Sequence, residues 1–420
     1  MNKNRLISNN IAEIQRKRGR LLLLTGARQT GKTTLLKELF KDYTYLSLED
    51  PLLRVSLQKL SAQEWITRYP RAILDEAQKL PSLFETIKAA YDESPDVSYI
   101  LSGSSQVLLL KKVRESLAGR IAICELFPLT LPEMKTVSWS DPVIPSRLVS
   151  LIENFSQKKC LDLFQASPLA QPNWGKSQTY WNHYLQWGGM PSVWNETWDD
   201  TTKQGWIEDY LNTYLQRDLA DLAQLNELEP FVRCQKALAS RTGQLVNFSD
   251  LARLSDISPP TAKRFLNYLE ISYQTLALPA YYRNLEKRLS KMPKIHFLDP
   301  GICRGLLKRY GEMTGGEFES SVVAEIYKQL KTLRLPVQFH HLRTADGREV
   351  DLLVELENGF IGFECKQSAK VAKHDFKHFV GLENYLDKPL LAGFVISQEA
   401  ECTVWDNKKL FISSPPAFLF

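Results

Sequence analysis

The sequence predicts an α/β fold in which a parallel β-sheet, with helices on both faces, is followed by a helical region and a second α/β unit. Four short apolar runs with strand character, at 21–24, 43–48, 71–74 and 97–101, alternate with helical patterns. Strands that alternate with helices in this way usually pair in parallel. A second strand-rich pattern begins after residue 312, and few strand signals lie in the segment 136–228.

The first predicted unit covers residues 1–135 and the second covers 136–228. The first begins with a basic helix at 9–18 and contains the four strands. The second is entered through a polar linker with prolines at 138–145 and is rich in tryptophan, so we expect a helical subdomain.

The third predicted unit, 229–299, has the pattern of a winged helix. A first helix is followed by two short helices, 250–254 and 261–269, which are separated by a tight turn. Prolines at the start of the last helix are compatible with its first turn. Short strands at 275–278 and 294–298 complete the pattern of a helix-turn-helix with a wing.

The fourth predicted unit, 312–420, is α/β. We expect a long helix, a hairpin, a second helix and a further strand. These elements are predicted at 316–330, 348–356, 360–366, 374–386 and 390–396.

Composition restricts the class of protein. Of the 420 residues, 44% are hydrophobic and 24% are charged, which is ordinary for a globular chain. The net charge of +5 permits a nucleic-acid partner without requiring one. Six widely spaced cysteines and the absence of any apolar run near the roughly 20 residues of a membrane span predict a cytoplasmic protein with no membrane partner.

A glycine-bounded loop follows the first strand and precedes a helical pattern. Its residues match the G-x-x-x-x-G-K-T pattern, in which backbone N–H groups surround phosphate oxygens and the helix N-terminus adds a positive dipole. Lys32 is expected to reach the β- and γ-phosphates, and the Thr33 hydroxyl to bind Mg²⁺. The predicted nucleotide-binding residues are Gly26, Ala27, Arg28, Gln29, Thr30, Gly31, Lys32, Thr33 and Thr34.

Two adjacent carboxylates end the third apolar run. Asp75 is expected to support Mg²⁺, and Glu76 to act as the base that deprotonates an attacking water. This arrangement favours hydrolysis over small-molecule kinase chemistry. No guanine-selecting N-K-x-D motif follows in the expected place, so ATP is favoured over GTP.

Two weaker catalytic candidates follow. The fourth strand ends in a serine-rich turn, where a hydroxyl is expected near the γ-phosphate; we favour Ser104 over Ser102. Arg120 comes after a helical pattern and is a candidate for neutralising transition-state charge, within the chain or across a subunit interface. The alternatives are a simple turn for the serine and a structural salt bridge for the arginine.

The sequence resembles a widespread family of prokaryotic AAA-superfamily ATPases. The resemblance depends on the loop at 26–35, the segment Ile73-Leu74-Asp75-Glu76-Ala77-Gln78, and the later segments 102–105, 117–120, 188–191 and 287–294. It covers nearly the whole chain and matches least at about 137–177. It implies an AAA-type core, a winged helix and a C-terminal nuclease-like fold. In this family the ATPase precedes a C-terminal region whose function is formally unknown.

A second candidate site lies near the C-terminus. If Asn358-Gly359 forms a two-residue hairpin turn, Asp351 pairs with Lys366, and Glu364 lies diagonally across on the same face. Such carboxylates are oxygen ligands for Mg²⁺ or Mn²⁺, with Lys366 positioning a water molecule. Glu319, on the preceding helix, is a further candidate ligand.

This pattern looks like the PD-(D/E)XK nuclease arrangement, in which a helix acid precedes an Asp and a Glu-x-Lys on a hairpin. The alternative is an ordinary cross-strand Asp–Lys pair in a fold that is retained for binding.

Basic residues gather between positions 263 and 309. Only Glu286 and Asp299 oppose those in 281–309. Such a surface suits contacts with phosphates, and the alternatives are a solvated charge run or a surface that packs against another part of the protein. The nucleic-acid candidates are Lys263, Arg264, Arg283, Lys287, Arg288 and Lys291.

The combined hypothesis is a Mg²⁺-dependent ATPase whose nucleotide state controls a winged-helix and nuclease-like module that binds, and in one version cleaves, DNA. The alternative is an ATP-dependent switch that recruits a protein partner or forms a homo-oligomer, with an inactive nuclease-like fold.

Overall fold

The structure is a computed structural model that describes residues 3–18, 20–103, 109–110, 113, 115–222, 228–344 and 346–420. Within these ranges, none of the helices is both long enough and apolar enough to cross a lipid bilayer.

The N-terminal unit is a five-stranded parallel sheet with strand order β2-β3-β4-β1-β5. β4 lies between the loop-bearing strand β1 and the acidic strand β3, and β5 covers the other side of β1. One hydrophobic core lies on each face of the sheet. The strands are β1 Leu21–Thr25, β2 Thr44–Ser47, β3 Arg71–Asp75, β4 Ser98–Ser102 and β5 Ile121–Glu125. The helices are α1 Ser8–Arg18, α2 Lys32–Leu39, α3 Pro51–Gln58, α4 Ala62–Arg68 and α5 Leu83–Glu93.

Among the described residues of the predicted helical region, 136–222 and 228, all regular structure is helical. A short helix, α6 Leu131–Met134, precedes this region, and its own α-helices are α7 Arg147–Glu153, α8 Gln157–Phe164, α9 Trp174–Trp187 and α10 Asp200–Leu222. Buried tryptophans of α9 pack into a core that continues into the C-terminal half of the chain. The helical region is therefore joined to its neighbours by a shared interior.

The next unit combines five helices with a three-stranded antiparallel sheet of order β6-β8-β7. Lys294, the first residue of β8, is paired with Leu245 on one side and Leu278 on the other. The elements are α11 Leu228–Ser240, β6 Gln244–Leu245, α12 Phe248–Ser255, α13 Pro259–Ile271, β7 Thr275–Leu278, α14 Leu285–Ser290, β8 Lys294–Phe297 and α15 Pro300–Leu307.

The C-terminal unit is a six-stranded mixed sheet with order β13-β14-β12-β11-β10-β9, and α16 packs against β11. α16 also reaches the N-terminal half, because Glu325 accepts a hydrogen bond from the Leu131 backbone N–H at 2.7 Å and pairs with Lys328 at 2.9 Å. The elements are α16 Gly315–Thr332, β9 Gln338–Arg343, β10 Glu349–Leu356, β11 Gly359–Lys366, β12 Leu390–Ser397, β13 Thr403–Asp406, β14 Phe411–Ser414 and α17 Pro416–Leu419.

Two sequence predictions for this unit were wrong. The segment 374–386 forms only short 3₁₀ turns, Lys373–Phe376 and Leu382–Asn384, instead of a helix. The reason is Gly381, whose φ of 74° is left-handed and ends helical propagation. The apolar spacing that looked helical reflects Phe376 and Phe379 packing into a core beside the sheet.

The hairpin register is the second error. Leu356 pairs with Gly359 and Leu352 with Phe363, so the turn is Glu357-Asn358 and the register is displaced by two residues from the prediction. Continuing this register places Asp351 opposite Glu364 instead of Lys366. The face on which these side chains lie is unchanged, because a shift of two residues preserves the alternation of a strand.

Candidate active site

The glycine-bounded loop joins β1 to α2 and is shaped by two glycines. Gly26 has a φ of 152°, and a Cβ atom there would lie 2.1 Å from the carbonyl oxygen of Leu126. Gly31 has a left-handed φ of 92° and begins α2 without a side-chain cap. Because glycine has no side chain that could cap the helix, no side chain at Gly31 competes with an anion for the first backbone N–H groups of α2.

Lys32 lies inside this loop with its side chain buried. Its ammonium group donates hydrogen bonds to the carbonyl oxygens of Gly26 and Ala27, each at 2.9 Å. The Thr30 hydroxyl also donates to the Ala27 carbonyl, at 2.8 Å. The positive charge is thus held at the centre of the loop by main-chain oxygens.

Asp75 lies at the end of β3 and accepts hydrogen bonds from three hydroxyl groups. Thr33 and Tyr45 donate to Oδ2 at 2.7 and 2.8 Å, and Ser102 donates to Oδ1 at 2.5 Å. The structure therefore brings together Thr33 and Asp75, the two residues predicted to bind Mg²⁺. A hydroxyl beside a carboxylate is a donor set that fits this hard cation.

The other two hydroxyl groups on Asp75 belong to Ser102 and Tyr45. The sequence favours Ser104 over Ser102 as the hydroxyl near the γ-phosphate, and Ser104 lies outside the described residues. Tyr45 is not among the sequence candidates, although its strand β2 runs beside β3. Burial, and then its bond to Asp75, raises the pKa of Tyr45 above its ordinary value of 10.0, so the phenol remains a hydrogen-bond donor.

Glu76 follows Asp75 and lines the cleft beside the loop. It has a left-handed φ of 54°, a conformation that a non-glycine residue adopts at a cost of about 1 kcal/mol or more. Its carboxylate accepts a hydrogen bond from the Gln78 side chain. The backbone strain directs Glu76 away from the course of β3.

Arg28, Gln29 and Thr34, three of the predicted nucleotide-binding residues, also line the cleft. Arg120 does not belong to the described lining. Its guanidinium pairs with Asp92 of α5 at 2.9 Å on a partly exposed surface, which is the structural salt bridge considered as its alternative.

Arg5 is a loop contact that the sequence did not reveal. Its guanidinium donates to the carbonyl oxygens of Thr30 at 2.7 Å and Phe127 at 2.6 Å, and it pairs with Glu133 at 3.2 Å. Arg5 thereby fixes the back of the loop to the segment after β5. Its partners are far away in sequence, so no local pattern indicated this role.

The cleft has a volume of about 1150 Å³ and extends from the loop to the helical region. The helical region contributes four aromatic side chains to its lining, from Trp139, Tyr180, Trp194 and Trp198. Trp194 is held in place because its indole N–H donates to the Gly188 carbonyl at 3.0 Å. The cleft therefore has a cationic, amide-lined end and an aromatic end.

The turn at Gly188-Gly189 carries Pro191 to this wall. A Cβ atom at Gly189 would lie 2.3 Å from the Leu129 carbonyl oxygen. The Gly189 N–H donates to the buried carboxylate of Asp299 at 2.7 Å. Close packing on both sides explains the two glycines.

The second predicted site also assembles, with one addition. Glu319, Asp351 and Glu364 are largely buried, and the Asp351 carboxylate accepts a hydrogen bond from the Cys365 N–H at 2.9 Å. The addition is Lys294 from β8, which lies 2.7 Å from Glu319 and 2.8 Å from Asp351.

The charges of this cluster affect each other. Burial opposes the charge on Lys294, but Asp351 and Glu319 raise its pKa above the ordinary value of 10.5, so it remains an ammonium ion. Burial and the neighbouring Asp351 raise the pKa of Glu364 well above 4.5. Lys366, the last residue of β11, is half-buried.

The basic candidates divide into two groups. Lys263 and Arg264 on α13 and Lys291 after α14 are exposed. Arg283 and Arg288, in contrast, are used within the protein. The first donates to carbonyl oxygens including that of Asn384 at 3.0 Å, and the second is largely buried 3.6 Å from Glu355. Of Lys287, only the backbone is described.

Comparison with known families divides the chain into three matched regions. Residues 18–135 match the family described as AAA domain. Residues 178–312 and 314–415 match two families described as domains of unknown function, DUF8612 and DUF4143.

Related proteins from other organisms are similar over most of the chain. The uncharacterized protein Rv2008c of Mycobacterium tuberculosis is 28% identical over 367 residues, which cover 84% of this chain and 71% of that protein. The uncharacterized protein MJ1544 of Methanocaldococcus jannaschii is 22% identical over 282 residues, covering 64% of this chain and 58% of that protein.

Two solved structures are similar in part. The Walker-type ATPase paby2304 of Pyrococcus abyssi has 17% identity and a TM-score of 0.42, covering 72% of this chain and 94% of its own. The AMPPCP-bound DnaA of Aquifex aeolicus has 14% identity and a TM-score of 0.29, covering 64% of this chain and 88% of its own. Both TM-scores are below 0.5. The family match confirms the predicted AAA-type core: residues 18–135 form an AAA-type, ATPase-like domain with a parallel-sheet core.

Proposed function

We propose that this protein is a Mg²⁺-dependent ATPase. The observation that supports the proposal most directly is the 2.7 Å hydrogen bond between Thr33, which follows the phosphate-loop lysine, and Asp75, which precedes Glu76. It brings the loop and the acidic strand end to one place, at the cationic end of a cleft large enough for a nucleoside triphosphate.

The loop would hold the phosphates. The N-terminal amides of α2 and its dipole favour negative charge at this position. Lys32 would exchange its bonds to Gly26 and Ala27 for phosphate oxygens, since carbonyl oxygens are weaker partners for an ammonium group than phosphate is.

Thr33 and Asp75 would hold Mg²⁺, which supplies neutralisation of phosphate charge when it is bound. Tyr45 and Ser102 would keep the Asp75 carboxylate oriented if the Thr33 hydroxyl bound the metal. Glu76, which lines the cleft, would be the base that takes a proton from the attacking water.

The aromatic end of the cleft would receive the base. Trp194 is positioned by its bond to Gly188 and by ring contacts with Tyr180 and His183, whose centroids lie at 5.8 and 4.1 Å. Trp194 is itself buried and supports this wall, whereas Trp198 is only half-buried and leaves ring surface open to the cleft. Stacking of adenine on such a ring contributes about 1–3 kcal/mol. Trp198→Ala is therefore expected to raise the KM for ATP while leaving kcat nearly unchanged.

The direct test compares two lysines of the N-terminal unit. Lys32→Ala should reduce ATP hydrolysis at least 100-fold, whereas Lys41→Ala should leave it unchanged, because Lys41 lies on the surface, where it pairs with Glu38 at 2.7 Å. Hydrolysis is measured by phosphate release, and folding by circular dichroism. A folded Lys32→Ala protein with full turnover would refute the proposal.

A second proposed activity is DNA binding by the unit formed by α11–α13 and β6–β8. Three helices with strand order β6-β8-β7 support a winged helix, and Lys263 and Arg264 are both exposed on α13. The resemblance to a nuclease-like fold is supported by α16, the antiparallel strands β9–β11 and the parallel strand β12.

Salt dependence tests the DNA proposal. Replacing Lys263 and Arg264 together by glutamate should weaken DNA binding and reduce the slope of log K against log salt by about 2, since each phosphate contact contributes about 0.9. The matched control is the adjacent basic pair of α8, Lys158 and Lys159, replaced in the same way. Equal losses in both double variants would mean that α13 is not the contact surface. Unchanged ATP hydrolysis in both would keep this result separate from the ATPase test.

A further inference from the structure

The carboxylate cluster of the C-terminal unit already contains a cation that belongs to the protein. The Lys294 ammonium group lies 2.7 Å from Glu319 Oε1, 2.8 Å from Asp351 Oδ1 and 3.3 Å from Glu349 Oε1. Its side chain is only 3% exposed. The ammonium group donates hydrogen bonds to Asp351 and Glu349 and forms an ion pair with Glu319.

The residues do not fit the metal ion that the nuclease resemblance implies. A metal ion bridging Glu319 and Asp351 would have to occupy the position of the Lys294 nitrogen, because the ammonium contacts both carboxylates. The ammonium nitrogen lies 2.7 Å from a Glu319 oxygen and 2.8 Å from an Asp351 oxygen, so it takes up the space between the two carboxylates. Among the described residues, no group of three or more His, Cys, Asp or Glu side chains is arranged to hold a metal.

We infer that Lys294 is a built-in replacement for the metal ion, which closes the C-terminal carboxylate cluster and keeps the nuclease-like unit without metal-dependent cleavage. The lysine comes from the neighbouring three-stranded sheet, so the closure is a contact between two units. The nuclease-like unit then serves binding, in agreement with the alternative in which this fold is inactive.

The backbone around Lys294 prevents the side chain from simply leaving. β8 is the central strand of its sheet, and Lys294 itself is paired with β6 and β7 on either side. Two residues further along the same face, His296 Nδ1 lies 2.9 Å from the Ser320 hydroxyl of α16. Lys294 and His296 therefore fix β8 against α16 together, and opening the cluster requires the two elements to separate.

The burial of Glu364 is a second observation that indicates a cation-binding cluster. Its side chain is 4% exposed, yet its Oε1 atom has no hydrogen-bond partner. A buried carboxylate oxygen without a partner is costly, and one ammonium group cannot satisfy every oxygen of the cluster. Removal of the lysine charge should therefore make the binding of another positive ion favourable, and both Glu364 and Asp351 should increase its affinity.

Mn²⁺ titration of the full chain without nucleotide, followed by electron paramagnetic resonance, tests the inference. In the wild-type background, Asp351→Asn should leave Mn²⁺ binding unchanged, because Lys294 excludes the ion. Lys294→Met keeps the length of the side chain without its charge, and this variant should gain a Mn²⁺ site at least tenfold tighter than any in the wild type. Adding Asp351→Asn to Lys294→Met should remove that site.

The wild-type comparison and the Lys294→Met comparison can each overturn the inference independently. A wild-type chain that binds a Mn²⁺ ion and loses it on Asp351→Asn overturns the inference, because the metal and the lysine would then coexist. A folded Lys294→Met protein that gains no Asp351-dependent site overturns it as well. Should Lys294→Met fail to fold, the wild-type comparison alone supports or overturns the exclusion of the metal.

Discussion

Exchanging each acid at the end of β3 for its amide separates metal support from base catalysis. Asp75→Asn and Glu76→Gln are adjacent changes of equal size that remove one negative charge each. Asp75 is buried and accepts three hydroxyl bonds, whereas Glu76 faces the cleft and accepts one bond from Gln78. The two variants should therefore fail in different ways.

The cost to folding of Asp75→Asn follows from its bonds. Hydrogen bonds to a charged acceptor contribute about 1.5–3 kcal/mol, and those to a neutral acceptor about 0.5–1.5 kcal/mol. Three bonds of 2.5–2.8 Å would lose about 3 kcal/mol together, and the relief of burying one charge less offsets part of this. The hydroxyls can turn to accept from the new amide, so the variant is expected to remain folded.

The assay is phosphate release as a function of Mg²⁺ at saturating ATP. Asp75→Asn should raise the Mg²⁺ concentration for half-maximal rate at least tenfold and lower the rate by about 10²–10³. Glu76→Gln should lower the maximal rate by about 10²–10⁴ without moving the Mg²⁺ midpoint. An Asp75→Asn protein with the wild-type Mg²⁺ midpoint would refute the assignment of Asp75, and a shifted midpoint in Glu76→Gln would refute the division of roles.

Three further outcomes are expected. Ser102→Ala should raise the Mg²⁺ midpoint of hydrolysis, while Ser98→Ala at the other end of β4 should not; equal midpoints would contradict the orienting role of the hydroxyl. Gly189→Ala should destabilise the chain by about 1–3 kcal/mol in urea unfolding because its Cβ meets backbone, whereas Gly175→Ala, with nothing within 4 Å, should be neutral or stabilising. Burial lowers the pKa of His341 to about 4 from 6.5, so the folded state binds its proton less tightly than the unfolded state. Stability should therefore fall as pH decreases from about 6.5 to 4, and His341→Gln should flatten this dependence; an unchanged slope would contradict it.

The sequence predicted what local pattern determines. The loop with Thr33 after its lysine, the acidic end of β3 with Asp75, and the sheet alternation all depend on residues near each other in the chain or on short repeats. The roles of Arg5 and Tyr45 were not predictable in this way, since their partners come from other elements and arginine and tyrosine are common in ordinary helices and strands.

The error in the hairpin register did not change which residues form the second site. Choosing Asn358-Gly359 as the turn displaced the register by two residues and exchanged the partner of Asp351, but the side chains stayed on one face. Lys294 begins a predicted wing strand within the basic segment 281–309, and nothing in its neighbourhood in the sequence indicates that β8 directs its side chain into the C-terminal unit. A charge that is buried by another unit cannot be distinguished in sequence from a solvated one.

The segment 294–299 connects the two sites of the molecule. Lys294 begins it inside the carboxylate cluster, and Asp299 ends it by accepting the Gly189 N–H at 2.7 Å and the Ile302 N–H at 3.0 Å. Gly189 belongs to the turn that carries Pro191 to the wall of the cleft. Because Asp299 is buried, moving this turn away from it would leave the Gly189 N–H without this acceptor, at a cost of about 1–3 kcal/mol. A displacement of the cleft wall would therefore either break this bond or move the segment that begins at Lys294.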